Sequence, residues 1–240
     1  MKDRYMTMLR SRLLFLAILV VLFLGLARRA DAQRFLGGVS LGMNLTQVDG
    51  DDLYGFHKVG LNVGPMVAMP FGRNRNWSVS MELLYSQKGS YHSGSTDSTR
   101  YRLVQNYAEV PVLVYITDKK AISGGLGFAY GQLVGYSETK NNFYDSIYHY
   151  TSGLSNNEFS VIADIRVRLW SKLWGNIRYQ YSLRSNRSVE VTDPGSYPRY
   201  VDAREQYNNV ISIRLVWVFN QENPKKPRLH PTAYPGIFLL

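Results

Sequence analysis

Between Trp77 and Gly89 the chain reads WSVSMELLYSQKG, and between Tyr107 and Thr117 it reads YAEVPVLVYIT. In the first stretch Trp77, Val79, Met81, Leu83 and Tyr85 alternate with Ser78, Ser80, Glu82, Leu84 and Ser86. In the second, Ala108, Val110, Val112, Val114 and Ile116 alternate with Tyr107, Glu109, Pro111, Leu113 and Tyr115. A period of two belongs to a β-strand, whose successive side chains leave on opposite faces. Each stretch is therefore a strand with one apolar face and, mid-strand, a glutamate on the other.

Six further segments repeat the pattern. Val39 to Leu45 and Val59 to Met69 precede the pair; Leu126 to Tyr130, Phe159 to Leu169, Ile177 to Leu183 and Ile211 to Phe219 follow it. The face opposite the apolar one is glycine-rich in the fifth segment (Gly125, Gly127, Gly131). It is charged in the sixth (Asp164, Arg166, Arg168), the seventh (Arg178) and the eighth (Arg214). Connections of two lengths alternate strictly. Short ones lie near Gly72 to Asn76, Asp118 to Lys120 and Trp170 to Lys172. Long polar ones lie near Thr46 to His57, Ser90 to Thr99, Ser137 to Asn157 and Arg184 to Gln206. Eight antiparallel strands, tight turns at one end and long loops at the other describe an all-β, eight-stranded, up-and-down transmembrane barrel of the outer-membrane type.

The aromatic residues suit the same architecture. Trp77, Trp170, Trp174 and Trp217 all fall at or near the short-turn end of a strand, and Tyr85 follows Trp77 by eight residues on one face. At ~3.4 Å per residue and a ~40° tilt that separation is roughly 20 Å along the membrane normal. Outward apolar bands of such barrels are about 25 Å tall, with aromatic girdles at both rims. Trp77, Trp170, Trp174, Trp217 and Tyr85 are therefore expected to form the girdle.

Both ends of the chain depart from the alternation. Met1 to Arg12 is basic, Leu13 to Leu26 is an unbroken apolar run, and Ala30-Asp31-Ala32 offers a small-x-small cleavage pattern. The run is shorter than the ~20 residues of a spanning helix, so residues 1–32 are expected to be a cleaved signal peptide. Residues 33–219 would be the barrel. Residues 220–240 hold Pro224, Pro227, Pro231 and Pro235 with Lys225, Lys226 and Arg228, which suggests a flexible, basic periplasmic tail.

Composition closes off several functions. The chain lacks cysteine, which excludes thiol nucleophiles, thiolate metal sites and disulfides. Part of the net charge of +10 comes from Lys2, Arg4, Arg10, Arg12, Arg28 and Arg29, and the rest is spread without a basic block. Nucleic acid, which asks for clustered cations and interleaved aromatics, is not an expected partner. His57, His92, His149 and His230 are scattered across loops and tail without metal-ligand spacing, so no metal or other cofactor is expected. Ser90, His92, Ser93 and Asp97 share one serine-rich loop with no third group to orient the histidine, and no catalytic residue is assigned.

The stretches WSVSMELLYSQKGS and NYAEVPVLVYIT resemble the third- and fourth-strand signatures of the PorT-like outer-membrane β-barrel family of Bacteroidetes. Gly42-Met43-Asn44, the acidic run Asp49 to Asp52, and Gly60 with Gly64 resemble that family's first strand, first loop and second strand. The resemblance spans about Gly37 to Phe219. It implies an outer-membrane barrel and, through the family's namesake, a link to type IX secretion. Phe219 is similar to the terminal aromatic signal read by the barrel-insertion machinery, although here a tail follows it. The chain departs from the family in having Ala108 where leucine is common.

With the apolar phase facing lipid, the interior receives Glu82, Lys88, Glu109, Asp164, Arg166, Arg168, Arg178 and Arg214. Eight strands enclose only enough space for side chains, and unpaired buried ions cost several kcal/mol, so these charges are expected to pair. The expected function is a non-enzymatic outer-membrane barrel, structural or part of an envelope or secretion assembly, with its long loops as contact surface. Its partners would be outer-membrane lipid, the insertion machinery and envelope or secretion proteins. A narrow lumenal channel is the alternative. A soluble lipocalin-like barrel with an apolar interior is a further one, since alternation survives exchange of inside and outside.

Overall fold

A computed structural model describes residues 35–51, 55–92, 101–119, 121–140, 148–150, 152–192 and 201–221. Among these, eleven strands follow in order: β1 (Leu36–Asp49), β2 (Lys58–Phe71), β3 (Trp77–Glu82), β4 (Leu84–His92), β5 (Tyr101–Asp118), β6 (Ile122–Lys140), β7 (Tyr148–Tyr150), β8 (Asn157–Arg168), β9 (Leu173–Ser182), β10 (Arg187–Thr192) and β11 (Val201–Val218). Each pairs antiparallel with its neighbours, and β1 also pairs with β11 from Gly38↔Val218 to Asp49↔Tyr207. First-to-last pairing removes both sheet edges and closes the wall. β3 and β4 act as one stave, broken at Leu83, whose N–H donates to the Pro65 carbonyl at 3.0 Å. The wall therefore has eight staves among the described residues.

Alternation decides which side is which. Leu41, Leu126, Phe128, Ile165 and Ile177 are exposed on the outer surface, Leu126 at 70%. So much contiguous apolar surface on a closed sheet requires a hydrocarbon surrounding rather than water. On the opposite face Glu82, Lys88, Glu109, Arg178 and Arg214 are all at or below 2% exposure. Leu126→Arg is accordingly expected to destabilise the folded barrel by about 2–4 kcal/mol, the cost of a guanidinium near the bilayer midplane. Urea unfolding in lipid vesicles measures it; an unchanged midpoint would place this face in water.

Inside the wall, glycines make room for large side chains. A Cβ on Gly125 would lie 2.5 Å from the Tyr115 ring, and one on Gly42 would lie 2.7 Å from the Arg214 Cγ. The Tyr115 ring and the aliphatic stem of Arg214 thus pass close over strand positions that present no side chain.

The structure corrects the reading of the long connections. Arg184 to Gln206 is not all loop, because β10 pairs with the start of β11 and also with β7. β5 and β6 likewise pair out to Tyr101↔Lys140, with a bulge opposite Asn106/Tyr107. These extensions escape a period-two search because they rise past the apolar band, where both faces can be polar. His92 and His149 consequently sit on strands, not loops, and Ser90 is buried on β4. Residues 1–34, Ser93, Asp97 and 222–240 lie outside the described residues, and with them the proposed leader and most of the tail.

Candidate functional site

The interior is filled in layers. Nearest the short-turn end of the middle section, Glu82 Oε1 accepts from Arg166 Nη2 at 2.7 Å and Arg178 Nη2 at 2.9 Å, while Oε2 accepts from Arg214 Nη1 at 2.9 Å. Asp164 shares the same guanidiniums: Oδ2 accepts from Arg178 Nε at 2.8 Å and from Arg214 Nη2 at 3.3 Å. Asn176 donates to Asp164 Oδ1 at 2.6 Å and accepts from Arg214 Nε at 2.7 Å. Side chains from β3, β8, β9 and β11 meet here because equal parity aims each of them inward. Arg166 also lies 4.1 Å from the Tyr115 ring centroid.

A second layer lies toward the long-loop end. Lys88 Nζ sits 2.5 Å from Glu109 Oε1 and 2.6 Å from Glu158 Oε1. Asn208 donates to Glu158 Oε2 at 2.7 Å, and the ammonium stands 5.1 Å from the Tyr107 ring centroid. Gln180 extends this layer, donating to Glu109 Oε1 at 3.2 Å and to Ser160 Oγ at 2.7 Å. Glu82, Asp164, Glu109 and Glu158 thus face Arg166, Arg178, Arg214 and Lys88. Each charge has an opposite partner, as burial demands.

Both ends of this column differ from its middle. At the long-loop end Val48, Tyr101 and Leu103 form an apolar cluster with Leu154 packed on it. Beside it Arg187 donates to Gln206 Oε1 at 2.7 Å and to Glu138 Oε1 at 2.9 Å. At the short-turn end Met66, Ala68, Trp174, Val216 and Val218 form a second apolar cluster, and beside it a cavity of about 210 Å³ opens.

Of the residues expected in the interior, Glu82, Asp164, Arg166, Arg178 and Arg214 come together in one layer, and Lys88 and Glu109 in another. Arg168 stands apart from both, half-buried at the short-turn rim, donating to the Ser171 carbonyl at 2.9 Å and lying 5.3 Å from the Trp174 ring centroid. Glu158 is absent from that set, although it shares the inward parity of Asp164 three pleat repeats earlier along β8.

Trp77, Trp217 and Tyr85 are exposed on the outer surface, and Trp170 is exposed in the turn between β8 and β9. Trp174 is the correction among the aromatics. It points inward at 6% exposure and donates from Nε1 to Gln221 Oε1 at 2.8 Å. Its parity with Asn176 and Arg178 fixes that direction, whatever the preference of tryptophan for membrane rims. Phe219 follows β11 directly, and its N–H donates to the Gly37 carbonyl at 2.8 Å.

Among the described residues no cluster of His, Asp and Glu has a metal-holding arrangement. The interior is ionic rather than an apolar cavity, so a lipocalin-like interior does not describe it. No curated protein matches the sequence. Similar solved structures include Ail, the attachment invasion locus protein of Yersinia pestis, in complex with the heparin analogue sucrose octasulfate. It is 12% identical, with 78% of this chain and 99% of that chain covered and a TM-score of 0.43. OprG from Pseudomonas aeruginosa is 12% identical over 77% of this chain and 94% of that chain, with a TM-score of 0.34. Neisserial surface protein A is 9% identical over 77% and 97%, with a TM-score of 0.36. The family described as "Outer membrane protein beta-barrel domain" matches residues 28–187, well over half of the sequence. Joined to a closed wall whose apolar side faces outward, that match settles membership: the chain belongs to the outer membrane protein β-barrel domain family, and its place is the outer membrane.

Proposed function

We propose that this protein is a non-enzymatic barrel with a plugged lumen, serving as a structural or docking component of an envelope assembly. The observation that carries the reading is the pair of ionic layers across the interior, Glu82 and Asp164 with three arginines, then Lys88 with Glu109 and Glu158. Ions pass where binding sites are open and weakly held; here each charge is already matched by another side chain. The extension of β5, β6, β10 and β11 past the apolar band supports a role in contact, since it carries strand surface beyond the bilayer. The PorT-like resemblance of the third and fourth strands points to secretion, with Phe219 as the insertion signal.

Planar-bilayer recording tests the plug. Wild-type protein is expected to show no stable conductance, and a steady opening in the nanosiemens range would favour the lumenal channel instead. Affinity purification of the intact protein from outer membrane tests the assembly role. Stoichiometric co-purification of other envelope proteins supports it, and recovery of a lone barrel refutes it.

A further inference from the structure

We propose that the periplasmic mouth of the barrel is a binding cup for a small amphipathic anion, a single negative charge on a short hydrocarbon chain. The inference goes beyond the plugged-lumen reading and uses the space that the plug leaves unfilled.

The cup is the cavity of about 210 Å³ at the short-turn end, and its lining divides by chemistry. On one side stand Met66, Trp174, Val216 and Val218, inward-facing residues of β2, β9 and β11 that form an apolar wall. On the other stand Tyr115, Arg166 and Arg168 of β5 and β8, with Arg75 in the β2–β3 turn. Hydroxyls of Thr117 and Ser123 complete that polar side. Among the described residues no carboxylate lines the cavity; Arg166 is already paired with Glu82, so Arg168 and Arg75 bring the cationic side of the lining against a hydrocarbon surface.

Two further observations point inward. Tyr115 is 2% exposed, yet its hydroxyl has no hydrogen-bond partner among the described residues. A buried hydroxyl at the edge of a cavity is a donor waiting for an acceptor. The opposite end of the lumen is closed by the Val48–Tyr101–Leu103 cluster and the Arg187–Glu138 pair. Access is therefore from the periplasm.

Size narrows the ligand. A cavity of about 150 Å³ holds benzene, and drug-sized sites start at about 300 Å³. The space between those limits fits an alkyl chain of roughly six carbons with a carboxylate or comparable head group. The chain would lie against Trp174 and Met66, and the head group between Arg168 and the Tyr115 hydroxyl.

Full-length protein in phospholipid nanodiscs, titrated with 6-bromohexanoate, tests the cup through bromine quenching of tryptophan emission. Trp77 and Trp217 on the outer surface and Trp170 in the exposed β8–β9 turn give a common background, so the signal is the difference between wild type and Trp174→Phe. Saturable quenching of the Trp174 component is expected, at least ~10-fold tighter than with the uncharged 6-bromohexanol, a difference of one decade for the loss of a charge-assisted contact. Arg168→Gln is expected to weaken binding several-fold, and Ala68→Phe to abolish it by filling the space. Equal affinity for acid and alcohol would overturn the anion assignment. Non-saturable quenching, or quenching unaffected by Ala68→Phe, would overturn the site. Conductance reports on the plug and quenching on the cup, so the two readings fail separately.

Discussion

Glu82→Ala is expected to destabilise the folded barrel by about 3–5 kcal/mol, the cost of stranding buried charge by removing one partner. The carboxylate holds three guanidiniums at 2.7, 2.9 and 2.9 Å. Without it Asp164 alone must balance Arg166, Arg178 and Arg214, of which Arg178 and Arg214 are almost fully buried. The expected readout is a lowered temperature for conversion from the compact to the unfolded form on a gel, together with an earlier urea midpoint. The double variant Glu82→Gln/Arg214→Gln separates charge imbalance from lost packing, because it leaves Asp164 against two guanidiniums instead of three. It is expected to recover part of the loss seen in Glu82→Gln alone. Additive losses would show that the layer acts through shape and not through charge balance.

The two glutamates that first mark this chain as a barrel, Glu82 and Glu109, were readable as inward residues because parity alone decides their direction. Their partners were only half readable. Arg178 and Arg214 follow from the same parity on neighbouring strands, and both meet Glu82. Lys88 finding Glu109 and Glu158 is a matter of height within the lumen, which depends on strand tilt and register. Glu158 is 70 positions from Lys88 along the chain, and no local pattern encodes that meeting. Trp174 shows the opposite failure. Parity places it inward with Asn176 and Arg178, whereas the habit of tryptophan at membrane rims points it outward. Where two signals conflict inside a strand, geometry governs, because a register slip would reverse every neighbour as well.

The extensions beyond the bilayer were hidden for a different reason. Arg187 to Thr192 pairs with both β11 and β7. Yet that strand offers only Val189 and Val191 as an apolar stripe, and Val189 is buried rather than turned to hydrocarbon, so the run is too short to stand out. A period-two search therefore sees the membrane-spanning part of a strand and stops at its rim. The lumen has the same sidedness. Its long-loop end is closed by apolar contacts and an Arg–Glu pair and its middle by two ionic layers, while among the described residues its short-turn end keeps a cavity beside an apolar wall.

Lys88→Met is expected to cost a comparable 3–5 kcal/mol, for the converse reason. Its ammonium, fully buried, is the contact that lets Glu109 and Glu158 approach the same point, at 2.5 and 2.6 Å. Methionine keeps the volume and removes the charge, so two carboxylates are left facing one another beside the Tyr107 ring. Removing one of them should relieve the repulsion: Lys88→Met/Glu158→Gln is expected to be more stable than Lys88→Met. On the wild-type background Glu158→Gln leaves a one-to-one Lys88–Glu109 pair, and a smaller loss of about 1–3 kcal/mol is expected. Urea unfolding of the four proteins completes a double-mutant cycle. If Glu158→Gln subtracts the same amount on both backgrounds, the three groups are not coupled and this layer is not held together by charge. Because the arginine layer lies intact below it, neither Lys88→Met nor its double variant is expected to conduct; a stable conductance from Lys88→Met would mean that a single layer seals the barrel.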